Sequence, residues 1–388
     1  MESFVIKPEK KPRFKMYSSG PTAPPYGGIK SYSPPLGRSH RSSEGRKDLK
    51  LLEDLIREVL EIPSTHLVGL HGGGATGGLE AVFHSFLGPN PVIVAHWEAF
   101  GSGWLTDLRE LRKVDKSFVV SDLGVNRYGL FPDLRCYDGS NDLVITANGT
   151  TSGVKVPNWD FIPDHREGLV IVDATSGAGC MHIDWSKCDI VVFPAQKAFG
   201  ADAQTCAIVL SPRAVLCASQ FPLKSKKWPM IKLHRLIDDK GVSKGIFEQT
   251  KPINTPAWEA VGSWIRALLW MKDKGGLSWM VQKTDENYQV IEDWVEKHDW
   301  IRFLCNDPLV RSHSSVTLEL DPTRSGLNKD QLKSRPGLIV DAMGERDVAF
   351  DFKNYGKAPP GFRFWCGPTI QTESLQLTLE WLAWFYSE

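Results

Sequence analysis

The sequence lacks any apolar run near the roughly 20 residues that a membrane-spanning helix requires, and its lysine-bearing start has no apolar stretch of the kind a secretory signal carries. Its seven cysteines, Cys136, Cys180, Cys188, Cys206, Cys217, Cys305 and Cys366, are scattered and odd in number, and no CxxC or Cys/His ligand set occurs among them. This excludes the usual metal and disulfide frameworks; free thiols in a reducing, cytoplasmic setting are the expectation. An excess of either charge is missing too, with 46 basic against 46 acidic residues, so bulk charge offers no attraction to nucleic acid or an anionic membrane. The short cluster "KPEKKPRFK" is expected to be a solvated arm. Internal repeats and low-complexity stretches are absent.

What is present is an alternation. A chain of 388 residues exceeds one compact core and suggests about two to three domain-sized units. After a stretch rich in Pro, Gly and Ser ("SSGPTAPPYGG"), "RKDLKLLEDLIREVLEI" spaces Leu52, Leu55, Ile56, Val59 and Leu60 as one face of a helix that Pro63 ends. "HLVGLHGGGATGGLEAVFHSFLG" and "NPVIVAHWEAFGSGW" each give an apolar strand, a small-residue turn and a helix. "DLVITANGTTSG", "GLVIVDATSGAG" and "IVVFPAQKAFG" repeat the β-branched run ended by small polar residues. The pattern predicts an α/β fold with a mainly parallel central sheet covered by helices on both faces. Ligands of such sheets gather beyond the carboxyl ends of the strands, where all these polar clusters fall. From about residue 260 longer helical stretches, the strand candidate "SSVTLEL" and "GFRFWCGPTI" predict a smaller α+β domain. The expected division is an arm over residues 1–15, a large domain over 16–260 and a small domain over 261–388.

Two residues carry the chemistry. Asp173 closes one strand, and Lys197 follows another 24 positions later. A carboxylate and an amine at neighbouring strand ends suit pyridoxal phosphate, which needs a lysine for its Schiff base and an acidic partner for its ring nitrogen. A structural ion pair is the competing account of the same two residues. The turn "HGGGATGG" lets backbone N–H groups approach a phosphate at a helix N-terminus, although it matches neither the P-loop nor the dinucleotide fingerprint. Phe100 could stack on a flat ring.

Taken in order, "YSSGPTAPP", "GRSHRS", "HGGGATGG", "WEAFGSGW", "NGTTSGVKVPN", "VDATSGAG", "PAQKAFG", "INTPAWEAV" and "PPGFRFWCG" make the chain resemble the phosphoserine aminotransferases, nearly end to end. The likeness is strongest to the variant found in alphaproteobacteria and some methanogenic archaea. The resemblance implies the fold type I architecture of class V pyridoxal-phosphate enzymes. Lys197 would then be the Schiff-base lysine, Asp173 the partner of the ring nitrogen, Thr150 the partner of the phenolic oxygen, and Phe100 the residue stacked on the ring. Gly74, Ala75, Thr76 and Gln196 would hold the cofactor phosphate, joined by Asn254 and Thr255 from the second subunit of a homodimer. Asn254 and Thr255 serve equally well, on sequence alone, as caps of the helix after Pro256. His40 and Arg41 would meet the substrate's phosphate, and Arg363 would clamp its α-carboxylate.

The implied reaction is reversible transamination between phosphohydroxypyruvate with glutamate and phosphoserine with 2-oxoglutarate. The pattern is departed from in two places. The commoner bacterial form has arginine after the triple glycine, where this chain has Ala75, and it has a His-Arg pair before the carboxylate arginine that has no clear counterpart here. Arg38, Lys353 and Lys357 are candidate substitutes. The alternatives are another class V aminotransferase, such as an alanine–glyoxylate type, a cysteine desulfurase using Cys366, and a cofactor-binding module without turnover.

Overall fold

Regular structure begins where the sequence supplies a cap. The Ser42 side chain accepts a hydrogen bond from the Gly45 amide and opens α1 (Ser43–Val59), which buries Leu49, Leu52, Leu55, Ile56 and Val59. In this computed structural model residues 5–25 and 32–388 are described. Residues 1–4 of the expected arm, and residues 26–31, which include the Tyr-Gly-Gly end of the proline-rich stretch, lie outside the described residues.

The apolar runs then fold as β1 (Leu67–Gly72), α2 (Gly74–Phe86), β2 (Val92–His96), α3 (Ala99–Val114), β3 (Val120–Gly124) and β4 (Asp142–Thr146). A small hairpin, β5 (Asn148–Gly149) and β6 (Val154–Lys155), precedes β7 (Val170–Asp173), β8 (Ile190–Pro194), β9 (Thr205–Leu210) and α4 (Pro212–Gln220). Seven of these strands form one sheet in the order β1-β9-β8-β7-β4-β2-β3. Only β9 runs against its neighbours, and the other pairs in the sheet are parallel. The expected mainly parallel sheet is therefore the one observed, with an antiparallel strand that the apolar run "TCAIVL" does not announce.

Successive residues of the central strands feed two separate cores. Val170, Val172, Val191 and Phe193 join one, while Ile171, Ile190 and Val192 join the other. This period-two alternation between two apolar layers is why the strands look continuously hydrophobic in sequence. It also puts the carboxyl ends of β1, β2, β4, β7 and β8 along one edge.

A hairpin of β10 (Ile237–Asp238) and β11 (Gly241–Val242) and the single turn α5 (Lys244–Phe247) lead to α6 (Trp258–Lys274) and α7 (Gly276–Val295). The smaller C-terminal unit follows. Its antiparallel sheet orders β12 (Ile301–Phe303), β13 (Ser315–Leu320) and β14 (Phe362–Trp365), backed by α8 (Lys329–Glu345) and α9 (Thr372–Ser387). Of the segment before α1, residues 10–17 pack along this unit. Lys10 accepts from the Trp381 indole at 2.8 Å, the Tyr17 hydroxyl meets that of Thr378 at 2.9 Å, and the Trp365 amide donates to the Tyr17 carbonyl at 3.1 Å. The same segment then crosses to the large unit, where the Thr22 hydroxyl donates to the carbonyl of Lys197. Residues 10–25 are thus a strap spanning both units. No helix among the described residues is long and apolar enough to cross a membrane.

Candidate active site

Lys197 stands in a single 3₁₀ turn just after β8, with a left-handed backbone (φ 71°) and only 6 % exposure. A non-glycine residue in that region costs about 1–2 kcal/mol, so its neighbours must over-determine it. They do: the Thr22 hydroxyl and the Gly200 amide both donate to its carbonyl, and its ammonium donates to the carbonyl of Ser19 in the strap. Burial, helped by the positive charge of Arg363 and opposed by Asp173 and Glu98, brings the amine down to about 8.

Asp173 ends β7 and is buried. One carboxyl oxygen accepts from the Trp104 indole at 2.9 Å, the other from the Thr175 amide at 3.0 Å and from the Thr175 hydroxyl.

Asp173 and Lys197 line one cavity of about 350 Å³. Gly74, Ala75, Thr76, Phe100, Thr150 and Gln196, each expected in the site, line it too. On its wall α2 starts with two left-handed glycines, its cap Gly73 (φ 85°) and its first residue Gly74 (φ 63°), and no side chain caps it. Its first turn also lacks acidic residues. An uncapped N-terminus facing a cavity is a ready anion site. Phe100 is 41 % exposed at the edge of the cavity and rests against Tyr355, ring centres 5.7 Å apart. The Thr150 hydroxyl donates to Ser176 at 2.7 Å, within a network that includes Asn148. Thr146, which also lines the cavity, has a buried hydroxyl without a hydrogen-bond partner.

The remaining expected residues lie apart from this cavity. Asn254 and Thr255 are exposed and line a neighbouring cavity of about 290 Å³, which shares Gly73 and Gln204 with the first. They do not cap the helix after Pro256: α6 is capped by Ala257 without any side-chain bond. His40 is buried with its Nδ1 2.9 Å from the Thr255 hydroxyl, and Arg41 is exposed. Arg38 pairs with Glu44 at 2.8 Å, Lys353 lies against Gly337 of α8, and Lys357 is exposed. Arg363, on β14, is partly buried, and its Nε has no partner. Burial lowers its proton affinity, opposed by the charge of Glu98. Cys366 is fully buried in the core and its thiol is pushed well up by burial, the opposite of a mobile catalytic cysteine.

Sequence reasoning missed Trp104, Ser176 and Glu98. Trp104 lies five positions after the start of α3, so it returns to the cavity one helical turn beyond Phe100. The signal for Glu98 was its place, an acidic residue directly before a helix start.

These residues fit pyridoxal phosphate. An uncapped helix start suits a phosphate, an exposed aromatic suits a ring face, and a carboxyl group stands with a buried amine on the walls. The unpartnered Thr146 hydroxyl leaves one polar atom still to be satisfied.

Comparison with known proteins agrees. No protein-family profile matches the chain. The phosphoserine aminotransferase of Methanosarcina mazei is 38% identical over 383 residues, covering 98% of this chain and 99% of the relative. That of Methanosarcina barkeri is 38% identical over 384 residues with the same coverage. Among solved structures, the pyridoxal-phosphate-bound phosphoserine aminotransferase of Trichomonas vaginalis superposes with a TM-score of 0.77 at 16% identity, covering 95% of this chain and 99% of that one. An alanine–glyoxylate aminotransferase from Nostoc sp. follows at 0.72 and 14%, covering 97% of both chains. At those identities the structural likeness is one of fold, that of the fold type I aminotransferases. The identity and coverage of the Methanosarcina relatives decide the rest: the chain belongs to the phosphoserine aminotransferase family.

Proposed function

We propose that this chain is a pyridoxal-phosphate-dependent phosphoserine aminotransferase, which exchanges the amino group of L-glutamate with 3-phosphohydroxypyruvate to give O-phospho-L-serine and 2-oxoglutarate. The observation that carries the reading is Lys197, a buried amine in a left-handed turn, sharing one cavity with Asp173 and an uncapped helix start.

When bound, the cofactor supplies a covalent hold on the substrate nitrogen and a sink for the electrons left at Cα. The chain's residues do the rest. The amides of Gly74, Ala75 and Thr76 and the side chain of Gln196 hold the phosphate. Asp173, oriented by three donors, would hold a proton on the ring nitrogen. Phe100 covers the ring face, and Thr150 turns its hydroxyl from Ser176 to the phenolic oxygen. Lys197, with an amine near neutrality at about 8, both takes and returns the Cα proton. Arg363 offers its free Nε–H to the substrate's α-carboxylate.

His40 and Arg41 read the phosphate or γ-carboxylate, both anions at a similar distance from Cα. Asn254 and Thr255, exposed on their own subunit, reach the cofactor phosphate of the second subunit in a homodimer. His40 is bonded to Thr255, so the basic pair moves with that reach. The division at residues 15/16 and 260/261 and a cytoplasmic location belong to the same reading.

An absorption spectrum of the protein loaded with pyridoxal phosphate, before and after L-phosphoserine without a keto acid, tests it. The expected result is a visible band that gives way to a near-ultraviolet one. A band untouched by phosphoserine but discharged by alanine would keep the cofactor and exchange the substrate for that of an alanine–glyoxylate type. A protein that never acquires the band overturns the reading.

A further inference from the structure

Glu98 has no role in the reaction described above, yet it is one of the most confined acidic groups in the molecule. It is 4 % exposed and lies directly before α3. Its Oε1 accepts from the Gly101 amide at 2.7 Å, and its Oε2 accepts from the Thr151 hydroxyl at 2.9 Å. Thr151 in turn accepts from the Ala99 amide at 3.1 Å. These bonds join two pieces of chain that meet only in the folded state. One is the start of α3, which carries Phe100; the other is the turn inside the β5–β6 hairpin, which carries Thr150. No cation pairs directly with Glu98 among the described residues. The charges that sense it are those of the cavity: Lys197 after β8, Asp173 at the end of β7 and Arg363 on β14, with the Tyr128 hydroxyl also facing it. With Glu98 ionised the two cations meet two anions; with it protonated one positive charge is left over.

We propose that Glu98 is a positioning residue: its buried carboxylate ties the start of α3 to the Thr150 turn, and its negative charge balances Lys197 and Arg363 across the cavity. The proposal rests on the function proposed above, because the value of holding Phe100 against Thr150 is that both touch one ring. The supporting electrostatics are consistent. Burial, with Asp173 adding to it, lifts the Glu98 carboxyl to about 7 despite its hydrogen bonds, so its charge is carried close to its threshold at neutral pH.

Two near-isosteric variants separate the tie from the charge. In Glu98→Gln the amide oxygen still accepts from Gly101 and the NH₂ donates to Thr151, so the tie survives and the charge goes. In Thr151→Val the carboxyl group stays and the tie goes, and loss of that donor raises the carboxyl further. The first readout is the pH midpoint of the Lys197 amine in cofactor-free protein, taken from the rate at which an amine-acylating reagent labels the Lys197 peptide. The second is the affinity for pyridoxal phosphate by fluorescence titration, with thermal melting beside both.

For Glu98→Gln the expected result is a Lys197 midpoint lowered by at least about 0.5 pH unit with melting little changed, since an anion that favoured the ammonium is lost. For Thr151→Val it is an affinity weakened by about fivefold or more, with the Lys197 midpoint lowered less than in Glu98→Gln. An unmoved midpoint in the first variant, or unmoved affinity in the second, overturns the proposal. Failure of the function reading looks different: the unaltered protein itself then shows no saturable binding of pyridoxal phosphate, while the Lys197 midpoint still reports on Glu98.

Discussion

Lys197 is an expensive residue for this fold to keep. Its amine sits at about 8 rather than its ordinary 10.5, chiefly through burial, and its backbone is left-handed. A lysine whose folded value is lowered binds fewer protons in the folded chain than in the unfolded one. The fold therefore carries the full cost below pH 8 and recovers it as pH rises from 8 to 10.5, a span equivalent to about 3 kcal/mol. Lys197→Met removes that cost. Without cofactor, the variant is expected to be more stable than the parent by about 2 kcal/mol at pH 7 in urea titration, the difference closing toward pH 10.5, while turnover is abolished. Equal stabilities at both pH values would show that the amine is not desolvated. Lys197 and Asp173 were legible in sequence because each ends an apolar β-branched run, where a charged side chain stands out. Glu98 was not, because an acidic residue before a helix looks like an ordinary solvated cap. Its burial comes from Gly149 and Thr151 closing over it, which only the folded chain brings about.

Among the elements, α2 depends most on its first residues. Gly74 has φ 63°, and a Cβ there would stand 2.8 Å from the Ala203 carbonyl oxygen. Gly74→Ala is expected to cost about 1–2 kcal/mol in stability and to weaken pyridoxal phosphate binding about tenfold, because the amides that meet the phosphate shift with the turn. Unchanged affinity in a titration with the cofactor would move the phosphate to another element. The glycines of this turn were readable as a close approach of backbone to an anion. Strand and helix existence were readable throughout, because the two cores impose a clear apolar pattern. The direction of β9 was not, since an apolar run has the same composition either way. Asn254 and Thr255 show the reverse case: their sequence fits a helix cap, yet α6 starts at Trp258 with Ala257 as its cap, and they are left exposed.

For the whole molecule, the homodimer proposed above would have each chain complete the other's site. Lys197 and its companions share one cavity, while Asn254, Thr255 and His40 gather at another. Chains carrying Lys197→Ala and chains carrying Asn254→Ala, each impaired alone, are expected to recover about a quarter of the parent activity when unfolded and refolded together. Half of the resulting dimers are mixed, and each mixed dimer holds one intact site. No recovery in that mixture would return Asn254 to its own subunit. The proposed homodimer comes from the family resemblance alone, because a subunit boundary leaves no periodicity in a single sequence.

The strap has a consequence for the order in which the molecule is made. Tyr17 leaves the ribosome long before its hydroxyl partner Thr378, which lies 361 positions later, and the Trp365 amide that binds its carbonyl is nearly as late. At about 5–20 residues per second, the large sheet has many seconds to assemble around Lys197 while the strap is still undocked on its small-unit side. A nascent chain stalled before residue 365 would carry Asp173 and the glycine turn in place, but Ser19 would not yet be fixed over the lysine from both sides. The buried amine is thus enclosed by a segment made well before it, but only once residues made well after it exist.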